Sequence, residues 1–161
     1  MSPQTHPEQQ AFLLRSIAEQ LRLPPVKALI KEPGVRGVYR VTIYYHDRRG
    51  RDSCATLVDR HMSGVLLSIS YRGLFAQKPI IHNIPESRYE NLGGGLQKLR
   101  FDHMADQPGM PLYGLDFWMI ERAAGSFVHS VIIAPQTAEK IYAQLAETIR
   151  THLPEVLRTI S

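Results

Sequence analysis

A single α+β domain over residues 1–161 is predicted, with three helices on a five-stranded antiparallel sheet in the order α-β-β-β-α-β-β-α. Three observations point to it. Residues 38–46 and 65–71 alternate apolar and polar side chains as half-buried strands do, and short turns part them from a weaker strand between. The longest apolar run, "MPLYGLDFWMIERAAGSFVHSVIIAP" from Met110 to Pro135, reads as a hairpin turning at Ala123-Ala124-Gly125-Ser126. Amphipathic segments at helical spacing stand near both ends and in the middle.

Taken in order, Thr5 with Glu8 fits a capping box and Pro7 suits a first helical turn. Leu14, Ile17, Ala18 and Leu21 then share one helical face until Pro24-Pro25 ends the helix. Residues 26–37 read as a connector. In the first strand Tyr39, Val41 and Ile43 oppose Arg40, Thr42 and Tyr44; in the third, Val65, Leu67 and Ile69 oppose Leu66, Ser68 and Ser70. The first-named sets are expected to face the helices, the others a wetter side. Residues 73–83 show no period beyond a short extended piece at "PIIHNIP".

Pro85 opens the second helix, whose seam is Tyr89, Leu92, Leu96 and Leu99. Gly93-Gly94-Gly95 interrupts the seam at roughly 1 kcal/mol per glycine. The leucines hold their phase across it, so a continuous helix is expected, with a neighbour packed close. "FDHMADQPGM" is a loop. In the hairpin, with Arg122 set opposite Phe127, Asp116, Trp118, Ile120 and Arg122 share a face with Phe127, His129, Val131 and Ile133. The other face is also apolar, as in a hairpin covered on both sides. Pro135 and Thr137 start the last helix, and Pro154 kinks it or begins a short turn with Val156, Leu157 and Ile160.

The apolar fraction of 43% and charged fraction of 21% are those of a globular domain. One cysteine, Cys54, excludes an internal disulfide and suits a reducing compartment. No basic-then-apolar leader opens the sequence, and no apolar run approaches the ~20 residues of a membrane span. A cytoplasmic location without a membrane partner is expected. Seven arginines against three aspartates between Arg36 and Arg72 account for the whole net charge of +4.

Established catalytic, phosphate-binding and metal motifs are missing from the sequence, and no cofactor is expected. The histidines show no helical pair spacing; the loop with Asp102, His103 and Asp106 is where a metal would sit, and none is assigned. Asp116, Arg122 and His129 form the strongest polar set on otherwise apolar strands. They read either as a ligand or proton-transfer site or as a satisfied structural network. Arg48, Arg49 and Arg51 crowd a hairpin tip suited to phosphate oxygens and a nucleic acid. The competing reading is a solvated turn flanked by Asp47 and Asp52, where charge reversal leaves folding nearly unchanged. Cys54 beside these arginines is either a thiol of lowered pKa or a small apolar strand residue.

Two stretches, "FLLRSIAEQLRLPPV" and "YGLDFWMIE", resemble the opening helix with its proline step and the late strand of the class I type III secretion chaperones, whose element order is also similar. This chain departs from those acidic proteins in being basic. The resemblance implies a small, dimeric, non-catalytic domain that binds other proteins. A homodimer is expected independently, because three helices can cover one sheet face and the hairpin has two. Trp118, Ile120, Phe127, Val131 and Ile133 are its interface candidates. The expected function is therefore a non-catalytic protein-binding module, an assembly factor or small chaperone with an unidentified protein partner. The alternatives are an enzyme using Asp116, Arg122 and His129 or a nucleic-acid binder using the arginine tip.

Overall fold

Alternating β-branched and aromatic residues build a mixed α+β fold around one antiparallel sheet, in a computed structural model that describes residues 6–73 and 78–159. The elements are α1 (His6–Gln20), α2 (Val26–Leu29), β1 (Val35–Tyr44), β2 (Ser53–Arg60), β3 (Gly64–Tyr71), β4 (Ile80–Ile84), α3 (Glu86–Lys98), β5 (Phe117–Ala124), β6 (Phe127–Ile133) and α4 (Ile141–His152). Short 3-10 turns follow α3 at Phe101–His103 and α4 at Pro154–Leu157. Strands β1 to β4 form a meander, and β5 returns beside β1, giving the order β4-β3-β2-β1-β5-β6. Thr5 of the expected capping box and Ile160 of the expected last turn lie outside the described residues.

The sheet has six strands, not the expected five. The added strand, β4, comes from the stretch without a period. It is an edge strand held on one side by β3, and only Ile84 of its five residues is buried, so it leaves little hydrophobic alternation to read. The expected connector contains α2, whose Val26 and Leu29 are buried. The last helix begins at Ile141 instead of Pro135 or Thr137, because the Thr137 amide closes a turn onto the Ala134 carbonyl at 3.1 Å.

One sheet face carries Tyr39, Val41, Ile43, Leu57, Leu67 and Ile69 beneath Leu92 and Leu96 of α3 and Leu145 and Ile149 of α4, as the alternation predicted. The opposite face is not the wet one expected. There α1 lays Leu14 and Ile17 on Phe117, Met119 and Ile132, and α2 packs on Val38 and Ala123. Arg40 and Thr42 are consequently buried between these two clusters. The β3–β4 side of this face stays open, with Leu66 and Ile81 exposed, as does the β6 edge at Val128.

The hairpin turns on two residues, Gly125 and Ser126, so Arg122 pairs with His129 and Ala124 with Phe127. This register differs by two residues from the expected one, and an even shift returns every side chain to the same face. The assignment of faces therefore survives the wrong pairing. Helix α3 runs unbroken through its three glycines. A Cβ on Gly95 would stand 3.1 Å from Thr148 of α4, and one on Gly93 would stand 3.3 Å from the Tyr39 hydroxyl. Close approach is the reason glycine serves at both positions.

Candidate functional site

The strand β5 separates the polar set that the sequence grouped. Asp116 precedes its first residue, while Arg122 lies near its far end, about 20 Å away at 3.3 Å per residue. Arg122 and His129 are cross-strand neighbours. Nη1 of Arg122 donates to both Asp102 oxygens at 3.1 and 3.0 Å, and His129 Nε2 meets the Met104 carbonyl at 2.8 Å. Both side chains thereby tie the 101–104 turn to the sheet.

Asp116 is joined instead by residues from the turn after β1. Its Oδ1 accepts from the His46 amide at 3.0 Å and lies 2.7 Å from His46 Nδ1, while Arg49 Nη2 donates to Oδ2. The Asp116 amide donates to Gln136 Oε1 at 2.8 Å. Burial by itself would raise the Asp116 carboxyl, but the Arg49 and His46 hydrogen bonds outweigh it and hold the group below the usual carboxylate range. His46, Asp47 and Asp116 bring potential ligand atoms within 4.8 Å of one another. Arg49 bonds to both carboxylates, so a cation already occupies that place.

The arginine tip is exposed at Asp47, Arg48 and Arg49, and Asp47 and Asp52 flank it as ion-pair partners. Arg48 pairs at 3.1 Å with Asp52, which is fully buried and also pairs with Arg72. Arg49 is held by Asp47 and Asp116 and lies over the Tyr45 ring at 4.7 Å. Arg51 donates to the Arg72 carbonyl at 3.4 Å. These guanidinium groups hold the chain's own carboxylates and carbonyls. Cys54 is buried in β2, and burial pushes its thiol up, so the small apolar reading stands.

The interface candidates on the hairpin are also used within the chain. Trp118, Ile120, Val131 and Ile133 belong to the core under α4, and only Phe127 remains 43% exposed. The premise that one hairpin face lacks a cover fails, since α1 supplies it. Edge strand β6 is covered in part as well: Asp106 Oδ1 accepts from the Ile132 amide at 2.8 Å, and Gln107 Oε1 accepts from the Ala134 amide at 3.0 Å. The loop proposed as a metal position thus has Asp102 and Asp106 engaged in structural bonds.

Besides a small recess of about 270 Å³ beside Arg49 and Asp116, two larger surface concavities stand out among the described residues. A groove of about 690 Å³ runs between α1 and the 111–114 loop, floored by Leu13 and Tyr44 and flanked by Phe12 and Tyr113. Phe12 is 68% and Tyr113 83% exposed. The Gln10 amide, donating to the Pro111 carbonyl at 3.1 Å, fixes the loop beside the helix. Sequence reasoning passed over both aromatics. The available signal was that Phe12 lies off the Leu14–Ile17–Leu21 stripe, where a large apolar residue has no core to enter.

The second concavity is a cleft of about 670 Å³ along α3, between Gly93-Gly94 and the 100–103 turn, with Tyr39 and Arg122 in its wall. Arg100 sits just past the helix end in the left-handed region, at φ 56°. Among the described residues its guanidinium pairs with no acid. The glycine run was the sequence signal for this place, although it indicated only close packing. No protein-family model matches the chain, and no curated protein sequence is found to be similar to it. Among the described residues no helix is long and apolar enough to cross a membrane.

Proposed function

We propose that this chain is a non-catalytic protein-binding module of the assembly-factor or small-chaperone kind, working as a homodimer through the aromatic groove of α1. The observation that carries the reading is the pair Phe12 and Tyr113, large rings left 68% and 83% exposed on the flanks of one recess. A two-fold contact requires a patch that complements itself, and this patch has both projecting rings and a cavity to receive them. The separation of Asp116 from Arg122 and His129, each with structural partners, favours binding over catalysis.

Four aromatic rings, two from each copy, bury about 600–1,000 Å² at the usual 150–250 Å² each. That is below the ~1,200 Å² at which stable complexes begin, so the dimer is weak and forms at micromolar concentration or above. Sedimentation equilibrium over a concentration series is the test. The wild type is expected to shift from 18.3 kDa toward twice that mass, and Phe12→Asp and Tyr113→Asp to remain monomeric with unchanged helical signal. A wild type that stays monomeric throughout would end the reading. So would dimerisation undisturbed by both substitutions.

A further inference from the structure

Glycine inside a helix costs up to about 1 kcal/mol relative to alanine, and α3 has three in succession. Close neighbours account for Gly93 and Gly95, as described above. Gly94 has no such reason: a Cβ there would meet nothing within 4 Å, and its φ is not left-handed. A side chain at 94 would instead enter the cleft that Gly94 lines.

We propose that this cleft binds a small organic molecule bearing one anionic group, a carboxylate or a phosphate, with the rest of the molecule lying over Gly94. Its volume of about 670 Å³ is within the range of small-molecule sites. Tyr39, only 7% exposed, lines it, and among the described residues its hydroxyl has no hydrogen-bond partner. The Tyr39 hydroxyl is open to the cleft and can exchange a hydrogen bond with a ligand oxygen there. Arg100 occupies the left-handed position after a helix, where glycine is usual, and an L side chain there costs about 1–2 kcal/mol. Its guanidinium lines the cleft unpaired among the described residues. Arg122 spends Nη1 on Asp102 and retains other N–H donors beside it.

Two features limit the charge of the ligand. The cleft meets the C-terminal, negative end of α3, so the attraction for an anion comes from side chains and not from the helix. Glu90 lines the opposite end, four residues or about 6 Å along the axis before Gly94. It would repel a second acid and accept a bond from a hydroxyl or an amine. A single anionic group at the Arg100 end satisfies both.

The test is a titration of the ¹⁵N-labelled protein with inorganic phosphate, propionate, citrate and glycerol, followed at the glycine amides 93–95 and the arginine Nε signals. Saturable shifts with phosphate or propionate are expected, with weaker shifts for citrate and none for glycerol. Arg100→Gln should weaken the response about tenfold, the worth of one charge-assisted hydrogen bond. Gly94→Leu should abolish it while melting no lower than the wild type. Should Gly94→Leu prove unstable, the exposed Arg100→Gln variant still decides. No saturation up to tens of millimolar, citrate binding tightest, or a response unaltered in Arg100→Gln would each overturn the proposal. None of these outcomes depends on whether the chain dimerises.

Discussion

The turn after β1 and the cleft along α3 carry similar charges but use them in opposite ways. At the turn, Arg48 and Arg49 are bound to Asp52 and Asp116, carboxylates that the sheet has buried. At the cleft, Arg100 is exposed and ion-paired to no acid among the described residues, Tyr39 keeps an unbonded hydroxyl, and Gly94 faces open space. Density of charge in a sequence is therefore a poor guide to availability. What decides is whether the fold places a complementary group within reach.

The strongest test of this contrast is charge reversal at each place. Arg48→Glu with Arg49→Glu leaves Asp52 and Asp116 beside new negative charges. Removing one partner from a buried pair costs roughly 3–5 kcal/mol, and the partial exposure of both arginines reduces this to about 2 kcal/mol. Arg100→Glu at the cleft should change stability by no more than about 0.5 kcal/mol. Urea unfolding of the two variants separates them. Equal losses would remove the distinction between a closed and an open end.

A second test uses pH, because two carboxyl groups on β5 and its approach are displaced in opposite directions. Asp116 is held below its ordinary 3.8, so its ionised form stabilises the fold above that value, and the contribution is lost as pH falls through the folded value. Glu121 is raised above 4.5 by burial, against the opposing pull of Arg40 and Arg15. Its folded form binds the proton more tightly than the unfolded chain does. Stability should therefore fall as pH rises from 4.5 through the raised folded value. Asp116→Asn is expected to flatten the acid limb of the stability curve, and Glu121→Gln the limb above 4.5. A curve whose two limbs respond to the opposite substitutions would contradict the local environments described.

The smallest effect sharpens the contrast inside α3 itself. Gly94→Ala should stabilise by about 0.4–1 kcal/mol, through fewer unfolded conformations and no contact to disturb. Gly93→Ala and Gly95→Ala should gain less or lose, since each new methyl meets an atom at 3.3 or 3.1 Å. Thermal melting of the three single variants gives the order. If Gly94→Ala were the least stable of them, the space beside it would not be empty.

Much of this architecture was legible before any coordinates. The alternation of Tyr39, Val41 and Ile43, and of Val65, Leu67 and Ile69, identified the face that meets α3 and α4. The hairpin faces were readable even with its pairing wrong by two residues, because side-chain direction repeats every second residue. Helix α3 kept its phase through three glycines because Leu92 and Leu96 mark one seam on either side of them. By contrast β4 was missed, since an edge strand with one buried residue gives no alternation. The cover on the far sheet face was missed too: Leu14 and Ile17 show that α1 needs a core, but nothing local says which face of the sheet provides it.

The sequence by itself determined which side chains must be dry and in what local geometry, because helix and strand periods are properties of neighbouring residues. Only the tertiary structure decided which charges are spent. Asp116 meets Arg49 across 67 positions of sequence, and Arg88 meets Glu155 across another 67. Such pairs depend on how α1, the sheet and the loops stack, and the long-range electrostatics of an ion pair leave no period in the chain. The same holds for empty space: Gly94 is one glycine among three until the packing of Tyr39 and Thr148 shows which of them has no neighbour.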